Sequence, residues 1–172
     1  MRLTPHFTLG ELCKTKHVTE DGNIPSHVSI ENLKRICENW LEDLRYSYNT
    51  LYVHSGVRPQ SKVAGDCTLG PDPGAAPETE EAIVINSGYR SPAVNQLAGG
   101  AKTSNHLSGC AVDIRCVGKE QMIRYASILL DIADGTKQEF DELLLEQHGN
   151  VCWLHFAVKP KDNRRRIALI KA

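Results

Sequence analysis

A histidine and an aspartate separated by a glycine-containing bend are the side chains with the clearest chemical potential. His106 precedes Gly109, and Asp113 follows it at the start of a strand-like segment, so both side chains can converge on one point. Imidazole and carboxylate groups are standard zinc ligands, and a catalytic zinc ion usually has three protein ligands and one open position. The third candidate is His155, because alternation in its strand places Trp153 and His155 on the same face. Spacing alone also fits a buried core histidine at position 155.

Two amphipathic helices must help to position these residues. Ser29 can cap a helix at about 30–47, in which apolar residues recur at helical spacing. A second helix is predicted at 119–133, and Gly135 can end it. Each helix has one apolar face, which predicts packing against a common core.

The candidate ligands themselves fall near short strands and turns. Strands are predicted at 82–86 and 110–115, a short helix runs from Ser91-Pro92 to Gly99-Gly100, and strands at 143–146 and 151–158 form a hairpin. Proline and glycine interrupt the long loop at about 51–81, which can hold a short strand at 51–53. We therefore expect one domain over residues 1–172 with an inserted loop.

Composition and charge narrow the classes of function. The 172 residues are 41% hydrophobic and 24% charged, which is ordinary for a globular domain. The formal net charge of −1 disfavours a nucleic-acid-binding protein. Basic residues near the end, at Lys159, Lys161 and 164–166, are interpreted as a solvated tail.

The ends and the cysteines give further expectations. The N-terminus lacks the apolar run of a signal peptide, and no stretch of about 18 apolar residues occurs, so the chain is predicted to be made as a soluble cytoplasmic protein without a membrane span. The six cysteines are too irregular for a disulfide scaffold and are expected to be reduced and mostly buried. Cys13 or Cys67 could instead be reactive, because their neighbours are polar.

Several motifs in a fixed order resemble one family. These motifs are residues 3–12, Asn32-Leu33, Ser87-Gly88-Tyr89-Arg90-Ser91-Pro92, residues 99–106 through Asp113-Ile114, and Trp153-Leu154-His155. Together they resemble the zinc D-alanyl-D-alanine carboxypeptidase family of peptidoglycan peptidases. That family includes L-alanyl-D-glutamate endolysins and D-Ala-D-Ala dipeptidases, and it shares its fold with the Hedgehog signalling domain. The resemblance covers most of the chain outside the 51–81 loop.

The resemblance implies one catalytic zinc ion (Zn2+) held by His106, Asp113 and His155. It also implies a carboxylate that takes a proton from water and passes it to the leaving amine. Glu146 fits because it ends the hairpin strand that faces the strand of His155, and cross-strand neighbours lie about 5 Å apart. Some relatives place this acid three residues before the histidine, where this chain has Cys152. Asp141 and Glu142 are alternatives, and a solvated glutamate at position 146 also remains open.

Further roles are implied around these residues. Arg90 is expected beside the metal, where its guanidinium can hold a substrate oxyanion or carboxylate. Ser104 is expected to contact substrate or to orient the adjacent ligand, and Tyr89 and Trp153 are candidate substrate contacts. His148 could line the cleft, but the other histidines outside the ligand set have no partner at ligand spacing.

These expectations add up to a zinc metallopeptidase. The resemblance predicts an α+β domain with a small antiparallel sheet that carries the zinc site and packs against helices. It predicts a monomer that cleaves D-amino-acid-containing peptidoglycan peptides, as carboxypeptidase or endopeptidase, and acts on cell wall when released or carried by phage. The alternative is a non-catalytic zinc domain that binds cell-wall peptide or a protein partner.

Overall fold

A five-stranded sheet with the spatial order β1-β2-β4-β3-β5 organises the protein. The computed structural model describes residues 1–53 and 80–171. The strands are β1 (Ile85–Ser87), β2 (Ala111–Cys116), β3 (Glu142–His148), β4 (Val151–Ala157) and β5 (Arg166–Lys171). Neighbouring strands are antiparallel except β5, which runs parallel to β3. The predicted α+β class is confirmed, while the sheet is mixed at one edge.

Helices cover one face of this sheet and its ends. They are α1 (Leu9–Leu12), α2 (His27–Ile36), α3 (Glu42–Tyr48), α4 (Pro92–Leu97) and α5 (Gly118–Thr136). A short 3-10 helix at Asn105–Ser108 and two π turns, Cys37–Leu41 and Asn49–Val53, complete the helical structure of the described residues. The prediction of helices near 30–47, 92–99 and 119–133 is confirmed, with boundaries shifted by a few residues.

The N-terminal helical region is longer than predicted at both ends. Ser26, rather than Ser29, caps α2 and accepts a hydrogen bond from the Ser29 backbone N–H. The predicted strand at 51–53 is wrong, because these residues form the final π turn. The Tyr52 ring packs against Tyr48 one turn earlier and lies under the Arg124 guanidinium, so tertiary contacts favour the helical conformation.

Side-chain alternation gives the sheet two different faces. In β4, Cys152, Leu154 and Phe156 are buried among the core residues, whereas Trp153 and His155 point to the opposite face. Helix α5 packs across β4 and against α3, and Trp40 makes an edge-to-face contact with Phe156 at 5.0 Å. Because the helices bury one face of β4, only side chains on its other face, such as Trp153 and His155, remain available for chemistry.

The basic stretch near the C-terminus is ordered and paired, which corrects its interpretation as a solvated tail. Asp141 is fully buried and lies 3.0 Å from the Lys159 ammonium and 2.6 Å from the Arg164 guanidinium. Arg166 begins β5 and pairs with Glu142 at 2.9 Å. These charge pairs attach the last strand, β5, to β3. The sequence pattern alone gave no clear signal for β5.

Most of the predicted 51–81 loop, and with it Cys67, lies outside the described residues. Among the cysteines described, all are free thiols, four are buried, and Cys13 is half-buried. Burial raises the pKa of the Cys13 thiol to about 11, which disfavours the reactive thiolate. None of the described helices combines the length and the apolar character that a membrane span requires.

Gly109 offers a direct test of how the fold holds the site-bearing turn. It adopts φ +69°, and a Cβ there would lie 2.4 Å from the Ser29 carbonyl oxygen. We expect Gly109→Ala to lower the free energy of unfolding by about 2–4 kcal/mol, from left-handed strain plus steric overlap. Urea denaturation measures this change.

Gly99 supplies the matched control. It has a similar φ of +71°, but a Cβ there would meet nothing within 4 Å. Gly99→Ala should therefore cost only the conformational strain, about 1–2 kcal/mol. Equal losses in the two variants would show that the close approach to Ser29 does not matter.

Candidate metal centre

A capped turn presents His106 to the interior. Ser104 is the N-cap of the 3-10 helix, and its hydroxyl accepts a hydrogen bond from the His106 backbone N–H at 3.3 Å. Gly109 ends this helix in the left-handed conformation. The Arg90 backbone N–H also donates to the His106 carbonyl, at 3.1 Å. His106 is 2% exposed, so its position is fixed on every side.

Strand register brings the other two candidate ligands together. Asp113 on β2 and His155 on β4 are directly opposed in the antiparallel pair, on the sheet face away from the helices. The two residues are 7% and 9% exposed. The sheet therefore sets their separation, and the 3-10 turn brings His106 to the same point.

The three donor atoms form a compact triangle. His106 Nε2 lies 3.2 Å from both Asp113 Oδ1 and His155 Nδ1, and the latter two atoms are 3.0 Å apart. Tetrahedral zinc with bonds of about 2.0–2.2 Å separates its ligand atoms by about 3.3–3.6 Å. Small outward shifts of the three side chains would fit that geometry, and two imidazoles with one carboxylate are a donor set that zinc accepts. Within the described part of the chain, these three side chains form the one group of three or more His, Cys, Asp or Glu residues close enough to share a metal ion.

An oxygen on the outer side of each imidazole favours the ligand tautomers. His106 Nδ1 lies 2.5 Å from the Gly88 carbonyl oxygen, which can only accept, so this nitrogen carries the proton. His155 Nε2 faces Glu142 Oε2 at 3.6 Å. When these outer nitrogens carry the protons, both inner nitrogens and Asp113 Oδ1 direct lone pairs towards one point. A cation at that point would stabilise this arrangement.

Arg90 holds the second oxygen of Asp113. One terminal nitrogen of its guanidinium bonds Asp113 Oδ2, and Nε donates to Ser87 Oγ at 2.7 Å. Burial alone would raise the pKa of Asp113, but His106 and His155 hold it well below its usual value. Asp113 is therefore an anion at any physiological pH.

The pKa of His155 responds to the acids on both sides of its ring. Burial lowers this pKa, but the hydrogen bonds with Asp113 and Glu142 outweigh burial and raise it to about 9. Without a cation among the three donors, a proton on His155 thus relieves the repulsion between their lone pairs.

Three positions are alternatives to Glu146 for the catalytic base, and each has an environment that disfavours this role. Asp141 is saturated by Arg164, Lys159 and Asn105, and its pKa is held low despite burial. Hydrogen bonding to His155, followed by the pairing with Arg166, lowers the pKa of Glu142 to about 2. Cys152 points into the core, so an acid there would face the helices in this fold.

Glu146 has the different environment that a base needs. It lies on the same sheet face as His155 and is half-buried, and its carboxylate makes no hydrogen bond or salt bridge to any residue within 1–53 and 80–171. Burial is the main cause that raises its pKa, and the charges of His155, Asp113 and Arg90 also act on it. This carboxylate therefore points towards the charged cluster and remains available to a proton.

The other predicted contact residues divide between cleft and core. Trp153 is partly exposed and opposes both Glu146 and Arg115 across the sheet, on the site face. Ser104 is partly exposed beside His106. Tyr89 is instead buried within the hydrophobic core, and neither cavity beside the site includes it among its lining residues. The structure therefore gives the expected substrate contact by Tyr89 no support.

Three residues position this site through contacts that the sequence did not predict. Asn23 is 4% exposed and bonds the backbone of Cys13, Tyr89 and Ser91, which anchors the segment that carries Arg90. A Cβ on Gly88 would lie 2.4 Å from the Leu12 carbonyl oxygen, so its small size allows the carbonyl to reach His106. Asn105 links Asp141 and Glu142 at 2.9 and 3.3 Å. Gly88 and Asn105 both lie within motifs identified in the sequence, whereas Asn23 carried no signal.

Histidines outside the ligand set have other partners or lie apart. His6 pairs with Glu42 at 2.6 Å, and His27 lies 3.9 Å from Glu31. His148 is exposed at the end of β3. His54 lies outside the described residues.

Comparison with known families adds an independent finding. A family model described as Peptidase M15 matches residues 78–142. The matched segment contains Arg90, His106 and Asp113, and it ends before Glu146 and His155. No curated protein matches the chain. The match supports a relationship to the zinc-dependent peptidases of the M15 family, and His106, Asp113 and His155 form a cluster that could bind their metal.

Glu142 should control how strongly the cluster binds zinc. Glu142→Gln removes the anion that orients His155 and increases the basicity of its inner nitrogen, so we expect zinc affinity to fall about 10–100-fold. Competition with a chromogenic chelator measures this affinity. Glu139→Gln, at an exposed acid three residues earlier, is the control and should bind zinc as the wild type does. Equal affinity in all three proteins would contradict the orienting role.

The stability of the metal-free protein should depend on pH through His155. Its pKa is about 9 in the folded chain and about 6.5 in the unfolded chain, so protonation stabilises the fold fully below pH 6.5, and this contribution is lost as the pH rises through 9. Urea unfolding in chelator between pH 6 and pH 9.5 should show that decline. His155→Gln should remove most of it, whereas an unchanged slope in this variant would assign the decline to other groups.

Proposed function

We propose that this protein is a zinc-dependent peptidase that hydrolyses peptide bonds of bacterial peptidoglycan, as a D-Ala-D-Ala carboxypeptidase or L-Ala-D-Glu endopeptidase. The family match supplies the premise of a peptidase. The observation that carries the proposal is an unpaired glutamate on the same sheet face as three convergent metal-ligand side chains. A structural metal site has no need of such a carboxylate.

His106, Asp113 and His155 would hold the zinc ion through Nε2, Oδ1 and Nδ1. A zinc ion in such a site makes water more acidic and polarises a carbonyl, which is the chemistry that amide hydrolysis requires. The protein contributes rigid ligands, because each is buried and each has a hydrogen-bonded or charged partner on its outer side. Rigid ligands leave one side of the triangle open towards the sheet face.

Glu146 is proposed as the general base and then the general acid. It would take a proton from the attacking water and return it to the nitrogen of the leaving amine. Its raised pKa brings the proton affinity of the Glu146 carboxylate closer to that of the water and the amine with which it exchanges a proton. Because Glu146 has no salt bridge to break within the described residues, the proton can arrive without loss of a structural contact.

Arg90 is proposed to stabilise the oxyanion that develops from the scissile carbonyl. Its Nε and one terminal nitrogen are committed to Ser87 and Asp113, which fixes the plane of the guanidinium. The other terminal nitrogen has no hydrogen-bond partner among the described residues, so it can donate to substrate. A donor fixed before the reaction stabilises developing charge more effectively than one that must reorient.

The surface around the cluster can take an extended chain. One cavity of about 540 Å³ includes Ser87 and Arg90 in its lining, and a second of about 560 Å³ includes Ser104, Leu144 and His155. The cavities thus border the metal cluster on its β1 side and on its β3 side. Peptide residues on the two sides of a scissile bond could occupy one cavity each.

The peptidoglycan substrate follows from the family resemblance of the sequence motifs. The alternative is a zinc domain that binds peptide without cleavage, and the absence of an acid at position 152 was its main support. The side chain at 152 faces the core, which weakens that support. The available carboxylate of Glu146 favours the enzyme.

Digestion of purified peptidoglycan and of a D-Ala-D-Ala-terminated peptide by the zinc-loaded protein tests the proposal. We expect cleavage products by mass spectrometry, and their masses would name the scissile bond. Glu146→Gln should lower kcat by about 10²–10⁴-fold with zinc content unchanged, because the proton acceptor is lost while the ligands remain.

Two controls separate the metal from the base. Treatment with a chelator should abolish cleavage and added zinc should restore it, whereas Glu139→Gln should retain wild-type activity. Stoichiometric zinc with no cleavage of either substrate would favour the binding domain. Full activity of Glu146→Gln would remove Glu146 from the mechanism.

A further inference from the structure

The cavity beside Arg90 has a strong and uncompensated positive charge. Four cationic side chains contribute to its lining, namely Lys14, Lys16, Arg90 and Arg115, and His17 lies among them. No aspartate or glutamate among the described residues lines this cavity. Its remaining walls are apolar or neutral, for example Val84, Val94 and Asn86.

These cations also lack acidic partners elsewhere. Lys14, Lys16 and Arg115 form no salt bridge with any residue in 1–53 or 80–171, and each is exposed to solvent. Arg90 is the exception, since it bonds Asp113. Three unpaired cations on one cavity wall repel each other and create a positive potential, which an anion would neutralise.

The second cavity of the same molecule provides a contrast. It also has basic residues, Lys159, Arg164 and Arg166, but each of them is paired with Asp141 or Glu142. Positive charge in that cavity is therefore internally compensated. The two sides of the metal cluster thus differ in electrostatics, although their volumes are similar.

Three separate parts of the chain build the cationic wall. Lys14 and Lys16 follow α1, Arg90 precedes α4, and Arg115 projects from β2 on the same face as Asp113. Because Arg90 both lines the cavity and bonds Asp113, one side chain separates this cavity from the metal cluster. A group bound there would belong to a substrate whose scissile bond lies at the cluster.

We propose that this cavity binds a carboxylate of the peptide substrate, and that Lys14 and Arg115 determine the preference for peptides that carry it. The inference rests on the proposed peptidase function, whose substrates carry a free carboxylate close to the cleaved bond, and adds the residues that determine the preference for it. Ammonium and guanidinium groups bind carboxylates through charge-assisted hydrogen bonds. An amide at the same position offers no charge and retains none of this attraction.

The test compares a muropeptide stem peptide in three forms. One form has all carboxylates free, one has the C-terminal carboxylate converted to the amide, and one has the internal α-carboxylate converted to the amide. We expect kcat/KM to fall about tenfold for one of the two amides, which is the effect of one charge-assisted hydrogen bond. That amide identifies whether the bound carboxylate is terminal or internal.

The Lys14→Gln/Arg115→Gln variant assigns the preference to the cavity. It should reduce the ratio of acid to amide kcat/KM from about tenfold to nearly one. Lys119→Gln, at an exposed lysine outside this cavity, should keep the wild-type ratio. An unchanged ratio in the double variant would overturn the proposal.

Equilibrium binding separates this proposal from the proposed function. Calorimetry with Glu146→Gln, which should bind without cleavage, measures the Kd of each peptide form. If the wild type cleaves none of the peptides, the peptidase proposal fails, but a carboxylate-dependent Kd that is lost in Lys14→Gln/Arg115→Gln would still support the cavity. Equal Kd values for acid and amides, or no binding of any form, would overturn it.

Discussion

The pairing of Asp113 with His155 across two neighbouring strands is the constraint on which the rest of the site depends. Their register places an anion and an imidazole 3.0 Å apart on a rigid sheet, with both side chains buried. Such an arrangement is unfavourable unless a proton or a cation lies between the lone pairs. The helices on the opposite face fix this register, because a shift by one residue would bury His155 in the core and expose Leu154.

Further hydrogen bonds and ion pairs hold the residues around this pair in place. The turn that carries His106 depends on Ser104 and Gly109 at its ends, and Gly88 contributes the carbonyl that selects the His106 tautomer. On the other side, Glu142 faces His155 and is itself held by Arg166 at the start of β5. The last strand therefore contributes to the chemistry although none of its residues touches the metal cluster. Glu146 lies outside these charge pairs, and this difference distinguishes its environment from that of the paired acids nearby.

Sequence reasoning succeeded where periodicity or motif chemistry was strong. The main helices follow from apolar spacing, and the convergence of His106, Asp113 and His155 follows from strand alternation together with the order of the motifs. It failed for β5 and for residues 51–53, because long-range pairing decides both: Arg166 finds Glu142, and Tyr52 packs on Tyr48. The supporting role of Asn23 was equally invisible, since its partners are distant in sequence. Position 152 shows the same limit, because only the three-dimensional structure reveals that its side chain faces the core.

The coordination of bound zinc tests the central claim most directly. X-ray absorption at the zinc edge should reveal one zinc per chain with nitrogen and oxygen ligands at about 2.0–2.2 Å and no sulfur at about 2.3 Å. In His155→Gln the imidazole contribution should fall and zinc affinity should drop. A spectrum with sulfur ligands, or one identical in the wild type and His155→Gln, would contradict the account.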